Sequence, residues 1–238
     1  MGIAYNTSIV RDGLVLHLDA ANVKSYPGTG TTWNDLSGQG NNGTLVNGVG
    51  YNTDNNGSFV FDGTNDYSNF GEVYNLSTND LTINVWFNQS VIGGEKTLVS
   101  KSFFGAQNYR YSVLVSSGKL SVFMKGSGFS DIQPIGTTNL AINTWYMSTF
   151  VLTRSSSIQM YLNGMPENTT GNSTISQWNG QNFQSTNPFR VGSYTFSDNI
   201  TPNLLFNGKI SSVQMYFRTL TPAEIQQNFN ALRGRYGI

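Results

Sequence analysis

Alternation of apolar and polar side chains with a period of two is the dominant pattern in this chain of 238 residues. Such alternation predicts strands that bury one face and expose the other. The clearest run covers residues 81–87 (LTINVWF), where every second side chain from Leu81 to Phe87 is apolar. Two further runs, 109–115 and 119–124, flank a Ser-Ser-Gly segment with the spacing of a hairpin. The pattern therefore predicts an all-β chain.

Composition agrees with many short strands joined by turns, because glycine and asparagine accept the backbone conformations that turns need. The chain has 26 glycines, and aromatic residues make up 13% of it, enough to fill a core between two sheets. It has 0 cysteines. A chain of this size buries enough apolar surface to fold without disulfides.

Charge and hydropathy exclude several classes of partner. Only 11% of the residues are charged, the formal net charge is +0, and lysines and arginines are not clustered. Binding to nucleic acid is therefore not expected, since it depends on contacts with phosphates. No stretch of about 18 apolar residues predicts membrane insertion. The opening MGIAYN has neither the basic start nor the apolar run of a signal peptide.

One helix is predicted, from Pro222 to Leu232. Thr221 is placed as its N-cap, and Glu224, three residues later, completes a capping box. Pro222 suits the first helical position, where its missing N–H costs nothing. An apolar stripe along one face predicts that this helix packs on the sandwich. Gly234 is expected to end it with a positive φ.

A single domain is predicted over residues 11–238, because no linker-like segment divides the chain. Residues 1–10 form an N-terminal arm that either reaches a neighbouring protein or is a disordered tail. Two segments, 22–51 and 163–188, lack periodicity. Long loops of this kind in compact domains are usually functional or covered by a partner.

Several short motifs resemble, in order, the laminin-G-like group of the concanavalin A-like lectin/glucanase superfamily. They run through nearly the whole chain: Leu14–Asp19, Trp33–Gly38, Phe61–Gly63 with Asp66-Tyr67, Leu81–Phe87, Asn143–Tyr146, Tyr161–Gly164, Gly208–Ile210 and Leu220–Ile225. The resemblance implies a jelly-roll sandwich of two antiparallel sheets with one short C-terminal α-helix. It also implies binding loops at one rim.

The two ends of the domain are similar to those of laminin-G-like domains in the virion proteins of tailed phages. The similar segments are 9–16 (IVRDGLVL) and 228–237 (NFNALRGRYG). Bacterial surface proteins carry close relatives, so both settings remain open. The resemblance implies a virion surface component, in a head decoration or in a tail or fibre.

The residues that known chemistries need do not occur in the required patterns, so no enzyme activity is expected. Retaining glycosidases of the superfamily use paired carboxylates in a Glu-x-Asp-x-x-Glu strand, and no glutamate here stands in that pattern. Serine hydrolysis needs a histidine beside a nucleophile. The single histidine, His17, lies inside a predicted strand and is interpreted as structural.

Carbohydrate binding is the commonest role of the group, and it uses aromatic rings against which sugars stack. Candidates for these rings are Trp33 and Trp178 in polar loops, and Tyr109, Tyr111 and Tyr194 in strands. The alternative is structural. The two tryptophans can anchor their loops to the sandwich, and Tyr109 and Tyr111 can be cross-strand packing partners.

Relatives in the group often hold one Ca²⁺ near the rim, which suggests one structural calcium here, although no cofactor is required. Its candidate ligands are hard oxygen donors, namely Asp19, Asn34, Asp35, Asp62 and Asp66. The alternative for Asp35 and Asp62 is turn formation, in which their carboxylates accept backbone N–H groups.

The sequence thus predicts a non-enzymatic virion surface protein that binds glycans and mediates adhesion. Its expected partners are other virion proteins of the capsid or tail and glycans of the host surface. A homo-oligomer would fit repeated copies on a particle. The alternatives are a carbohydrate-binding module outside or on the surface of a bacterium and, third, a glycoside hydrolase.

Overall fold

A computed structural model describes residues 8–102, 109–126, 128–195 and 200–238. These ranges form nineteen strands, numbered β1–β19 in chain order, and one α-helix, α1. Two large antiparallel sheets contain nearly all the strands, so the predicted antiparallel sandwich is confirmed. Of the predicted N-terminal arm, residues 1–7 lie outside the described residues.

The back sheet has eight strands. They are β1 (Leu14–Asp19), β4 (Gly50–Asn52), β5 (Ser58–Asp62), β7 (Leu81–Gln89), β12 (Trp145–Leu152), β13 (Ile158–Leu162), β14 (Met165–Glu167) and β19 (Asn207–Tyr216). Their order is β14-β13-β12-β7-β19-β5-β4, and β1 also pairs with β19. At the start of β19 only glycine fits. A Cβ on Gly208 would lie 2.2 Å from the carbonyl oxygen of Asn88 on the neighbouring strand.

The front sheet has nine strands. They are β2 (Thr32–Trp33), β3 (Gly43–Val46), β6 (Tyr67–Asn69), β8 (Glu95–Lys101), β9 (Arg110–Ser116), β10 (Lys119–Lys125), β11 (Ile135–Gly136), β15 (Thr169–Thr170) and β16 (Phe189–Val191). Their order is β15-β11-β10-β9-β8-β16-β6-β3-β2. The remaining strands, β17 (Tyr194–Thr195) and β18 (Pro202–Asn203), pair only with each other.

The main core lies between the two sheets, as the period-two pattern predicts. The apolar side chains of β7, from Leu81 to Phe87, are buried there together with Val113 and Val115 of β9. The hairpin predicted around Ser117 joins β9 to β10, with Val115 opposite Leu120. Burial of these alternate side chains supplies the main free energy that holds the layers together.

A second core covers the outer face of the back sheet, where α1 (Pro222–Leu232) packs. The capping box is confirmed. The Thr221 hydroxyl accepts the N–H of Glu224 at 3.3 Å, and the Glu224 carboxylate accepts the N–H of Thr221 at 2.8 Å. No helix in the described ranges is long and apolar enough to span a membrane.

The predicted end of the helix is wrong in one detail. Gly234 does not have a positive φ, because α1 continues directly into a right-handed 3₁₀ turn, Arg233–Arg235. The left-handed glycine comes later, at Gly237, with a φ of 71°.

Both segments without periodicity are ordered by contacts with the sandwich. Segment 22–51 contributes the short strands β2 and β3 and the start of β4. Segment 163–188 is held by the buried guanidinium of Arg154. That group donates to the carbonyl oxygens of Ser77 at 2.8 Å and Trp178 at 2.6 Å, and also to that of Gln181. It lies 4.4 Å from the centre of the Phe183 ring.

Candidate functional site

A cleft of about 240 Å³ lies on the outer face of the front sheet, on the side away from α1. Strands β8, β9 and β10 form its floor, and the β17–β18 pair forms a wall. The lining residues are Glu95, Arg110, Leu114, Phe123, Asp131, Tyr194, Asn203 and Leu204. The wall is fixed to the floor where the N–H of Thr97 donates to the carbonyl oxygen of Leu204 at 2.8 Å.

Strand alternation explains why these side chains point into the cleft. Val113 and Val115 of β9 face the core, so Arg110 and Leu114 face outward. Phe123 of β10 lies opposite Ser112, between the positions of those two residues. Small serine and threonine side chains occupy the neighbouring outward positions and leave room above the sheet.

Arg110 is the central polar group of the cleft. Its side chain is buried, and its guanidinium carbon lies 4.9 Å from the centre of the Phe123 ring. One nitrogen donates to the Tyr194 hydroxyl at 3.2 Å, and the other lies 3.9 Å from a carboxylate oxygen of Asp131. Arginine over an aromatic ring, held at both ends, is a rigid and preorganised donor.

The charges around the cleft balance. Glu95 and Asp131 both line the cleft, and the Asp131 carboxylate lies 3.9 Å from the guanidinium of Arg110 and 2.8 Å from Lys125. Glu95 also accepts a hydrogen bond from the side-chain amide of Gln133. Two positive and two negative groups leave no net charge, so the cleft offers polar hydrogen-bonding groups without a field that would select an ionic ligand.

Of the five aromatic residues predicted to bind glycans, the structure brings only Tyr194 to this cleft. Trp33 is 0% exposed, and its ring packs 4.6 Å from that of Phe59. Trp178 is 1% exposed and packs against Phe183. Neither indole presents a free face to a sugar, because both anchor their loops to the core.

The two tyrosines of the β9 segment also lie outside the cleft. Tyr111 faces the core, and its hydroxyl donates to the carbonyl oxygen of Tyr74 at 3.0 Å. Tyr109 packs on the ring of Phe183, at 4.2 Å between ring centres. Its partner is therefore in the 163–188 loop and not across a strand pair.

Sequence reasoning missed Arg110, Phe123 and the two carboxylates. Phe123 could have been predicted from the alternation in β10. Leu120, Val122 and Met124 occupy its buried positions, so this aromatic residue lies on the outward face. Glu95 and Asp131 could not have been predicted, since they are 36 residues apart and line the same cleft only because β8, β9 and β10 pair side by side.

The five predicted calcium ligands are not gathered at one point. No group of three or more His, Cys, Asp or Glu residues in the described ranges is placed to hold a metal ion. Asp19 instead accepts two hydrogen bonds from Arg235, at 2.7 and 3.0 Å. Asn34 contributes backbone groups to a hydrogen-bonded pair with Ser25.

The other three aspartates serve turns or neighbouring backbone groups. Asp35 accepts N–H groups of His17 and Ser37, at 3.0 and 2.8 Å. Asp62 accepts the N–H of Thr64 at 2.7 Å, and backbone hydrogen bonds of this kind lower its pKa. Burial raises the pKa of Asp66, which accepts the N–H of Asp62. The five residues therefore do not surround one point, and of these three aspartates Asp62 and Asp66 lie side by side.

His17 lies on β1 of the back sheet, outside the cleft. Burial lowers the pKa of its imidazole. Its interpretation as a structural residue stays a prediction.

Comparison with solved structures extends the description of the fold. The binding domain of Paraclostridial Mosquitocidal Protein 1 is 19% identical, with a TM-score of 0.70 over 93% of this chain and 52% of that chain. The receptor binding domain of botulinum neurotoxin D is 14% identical, with a TM-score of 0.67 over 92% and 52%. The present chain thus spans about half of each toxin binding domain.

Another similar structure is matched over almost its whole length. Domain 4 of AbnA, an extracellular arabinanase from Geobacillus stearothermophilus, was solved in complex with arabinotriose. It is 17% identical, with a TM-score of 0.63 over 90% of this chain and 97% of that one. At these identities the likeness establishes the fold alone. No curated protein matches the sequence.

The family is established by the sequence itself. Residues 62–226, more than half of the chain, match the model of the concanavalin A-like lectin/glucanases superfamily. The matched region runs from the end of β5 into α1 and includes every strand that forms the cleft. This chain belongs to the concanavalin A-like lectin/glucanases superfamily.

Proposed function

We propose that this chain is a non-enzymatic glycan-binding domain whose sugar site is the cleft on the front sheet. The observation that carries the proposal is the combination of an apolar floor, Leu114 and Phe123, with a fixed donor, Arg110, and two carboxylate acceptors. Small-molecule sites typically join apolar walls to a few well-placed polar groups. Sugars present such a pair of surfaces, C–H faces and a rim of hydroxyls.

The similar structures support binding as the class of function, but not the position of the site. They include toxin receptor-binding domains and a domain solved with arabinotriose. Because the toxin domains match over only half their length, the contacts made by their other half do not transfer to this chain. The arabinanase domain, matched over almost its whole length, is the better guide to ligand class, and it supports a neutral oligosaccharide.

A glycan array followed by calorimetry tests the proposal. We expect a neutral oligosaccharide to bind, and Tyr194→Ala to weaken binding at least tenfold, since the tyrosine forms one wall and holds Arg110. Tyr109→Ala is the matched control, because that tyrosine lies outside the cleft. Equal affinity of the two variants for the glycan would show that the cleft is not the binding site.

Glycoside hydrolysis is the second candidate, and one observation favours it: two carboxylates, Glu95 and Asp131, face the same cleft. Paired carboxylates are the catalytic groups of most glycosidases. Against this role, Asp131 is ion-paired with Lys125 and 45% exposed, whereas the catalytic acid of a glycosidase is typically set in an apolar pocket. An assay for reducing sugar tests this candidate. If the wild type releases sugar and both Glu95→Gln and Asp131→Asn abolish the release, the domain is a hydrolase and not only a binding domain.

We also propose that the domain is displayed on the surface of a phage particle, where it contacts capsid or tail proteins and host glycans. The motifs at both ends of the domain support this location, and a bacterial cell surface is the alternative. Mass spectrometry of purified particles and labelling with a specific antibody distinguish the two. The same particles would show whether the domain is present as an oligomer.

A structural calcium ion is the remaining proposal. Calorimetric titration of the protein with Ca²⁺ tests it, with Asp62→Asn and Asp66→Asn as variants. Heat of binding that both substitutions abolish would support a site in the Asp62–Asp66 turn. Absence of heat would contradict the calcium proposal.

A further inference from the structure

A buried lysine and a buried asparagine meet at the edge of the main core, outside the cleft. Lys101 ends β8 and lies opposite Phe189 of β16. Asn187 precedes Phe189 by two residues, so it continues the same face of that segment. Lys101 is 2% exposed and Asn187 is 0% exposed. The Nζ of Lys101 lies 2.6 Å from the backbone carbonyl oxygen of Asn187.

The side-chain amide of Asn187 has no hydrogen-bond partner among the described residues, at either its nitrogen or its oxygen. Buried polar groups are almost always paired, because an unpaired one costs about 1–3 kcal/mol. The residue itself is held in place, since its N–H donates to the hydroxyl of Ser185 at 3.1 Å. An unpaired amide in a fixed position beside a buried amine needs an explanation.

The amine is in a state suited to nucleophilic attack. Burial lowers the pKa of Lys101 to about 8, although the charge of Glu72 opposes the shift. A neutral amine is therefore available near neutral pH, and a desolvated lysine is an activated nucleophile. The Cγ of Asn187 is separated from the carbonyl carbon of the same residue by only Cα and Cβ, so rotation of its side chain can present Cγ to Nζ.

We propose that Lys101 and Asn187 become joined by an intramolecular isopeptide bond. The Nζ of Lys101 attacks Cγ of Asn187, an amide bond forms between them, and the Cγ–Nδ2 bond breaks. The proton that Nζ loses passes to Nδ2, which leaves as ammonia. One amide replaces another, so no oxidant, metal or further reactant is required.

Such a bond would link positions 86 residues apart in a chain that has 0 cysteines. A covalent link over that separation restricts the unfolded chain as a disulfide does. It would tie β8 to the segment that leads into β16, two neighbouring strands of the front sheet. Neither Lys101 nor Asn187 lines the cleft, so this bond does not depend on the proposed glycan site.

The intact mass of the purified wild-type protein tests the proposal without any substitution. We expect a mass lower than that of the sequence by one ammonia, and a branched tryptic peptide that contains both Lys101 and Asn187, uncut after the lysine. A mass equal to that of the sequence would overturn the proposal. So would the loss of one ammonia with two separate linear peptides, because that result indicates a succinimide at an asparagine.

Substitutions add a second readout. Lys101→Arg keeps the cation but removes the nucleophile, and we expect the full sequence mass and a melting temperature lower by about 10 °C. Lys96→Arg on the same strand is the matched control and should still lack one ammonia.

Discussion

The two outer faces of the sandwich both carry aromatic side chains, but they use them in opposite ways. On the back sheet, Trp86 is fully buried, with its ring stacked 5.6 Å from Phe229 of α1 and 4.2 Å from Tyr236. On the front sheet, Phe123 lies under a guanidinium at the floor of an open cleft. One face is closed by the protein's own helix, and the other leaves part of its apolar surface open in a cleft.

This difference follows from what the chain places above each sheet. The apolar stripe of α1 covers the outer face of the back sheet, so the side chains of that face contribute to the stability of the fold. The β17–β18 pair lies over only part of the front face and brings polar groups with it. Substitutions on the back face should therefore change the free energy of unfolding, and substitutions in the cleft should change binding.

The largest expected effect is that of Trp86→Ala on the back face. Removal of a fully buried indole between the sheet and α1 should lower the free energy of unfolding by about 3–5 kcal/mol. Urea denaturation measures this loss. Ile142→Ala, at a site that is 45% exposed, is the control and should stay within about 0.5 kcal/mol of the wild type. A loss below 1 kcal/mol for Trp86→Ala would contradict the packing described for the back face.

Phe123→Ala tests the front face. We expect about a tenfold loss of glycan affinity, equivalent to about 1.4 kcal/mol, because the ring supplies the apolar floor and supports Arg110. Calorimetry with the glycan found by the array measures it. Phe129→Ala is the control, since that ring packs near Trp178 and does not line the cleft. Unchanged affinity for Phe123→Ala would mean that the two faces do not differ in function.

The contrast between the faces also explains what could be predicted from the sequence. The β7 strand and the capping box at Thr221 depend on local rules, period-two alternation and helix-end hydrogen bonds, and both were predicted. The cleft depends on contacts between the β9–β10 hairpin and the β17–β18 pair, which is about 70 residues further along the chain. Loop tryptophans such as Trp33 resemble binding residues because a polar neighbourhood in sequence does not reveal burial in space.

Acid should weaken the attachment of α1 to the back face. The hydrogen bond from Arg218, ahead of those from Thr221, lowers the pKa of Glu224 to about 2. In the unfolded chain a glutamate titrates near 4.3, so between these values the unfolded state binds more protons. The contribution of the Glu224 carboxylate to the free energy of unfolding is therefore complete above about pH 4.5. It is lost as the pH falls towards about 2.

Comparison of wild type with Glu224→Gln isolates this contribution. At pH 7 we expect the variant to be less stable by about 1 kcal/mol, an amount reduced by solvent screening of a partly exposed pair. Urea denaturation across the acid range should show the difference shrinking below about pH 4.5. A difference that stays constant down to pH 2 would mean that the carboxylate charge does not stabilise the helix start.

Asp131→Asn should have the smallest effect on stability and the most specific effect on the cleft. The carboxylate is 45% exposed, so its pair with Lys125 contributes little, and unfolding should change by less than about 0.5 kcal/mol. The substitution leaves the group of Arg110, Glu95, Lys125 and residue 131 with one net positive charge. We therefore expect weaker binding of a neutral glycan, because one of the two carboxylate acceptors is lost, and new binding to acidic glycans that weakens as salt is added. Lys24→Gln, a charge change outside the cleft, should produce neither response. If acidic glycans bind the wild type as well as the variant, the charge balance of the cleft does not select its ligand.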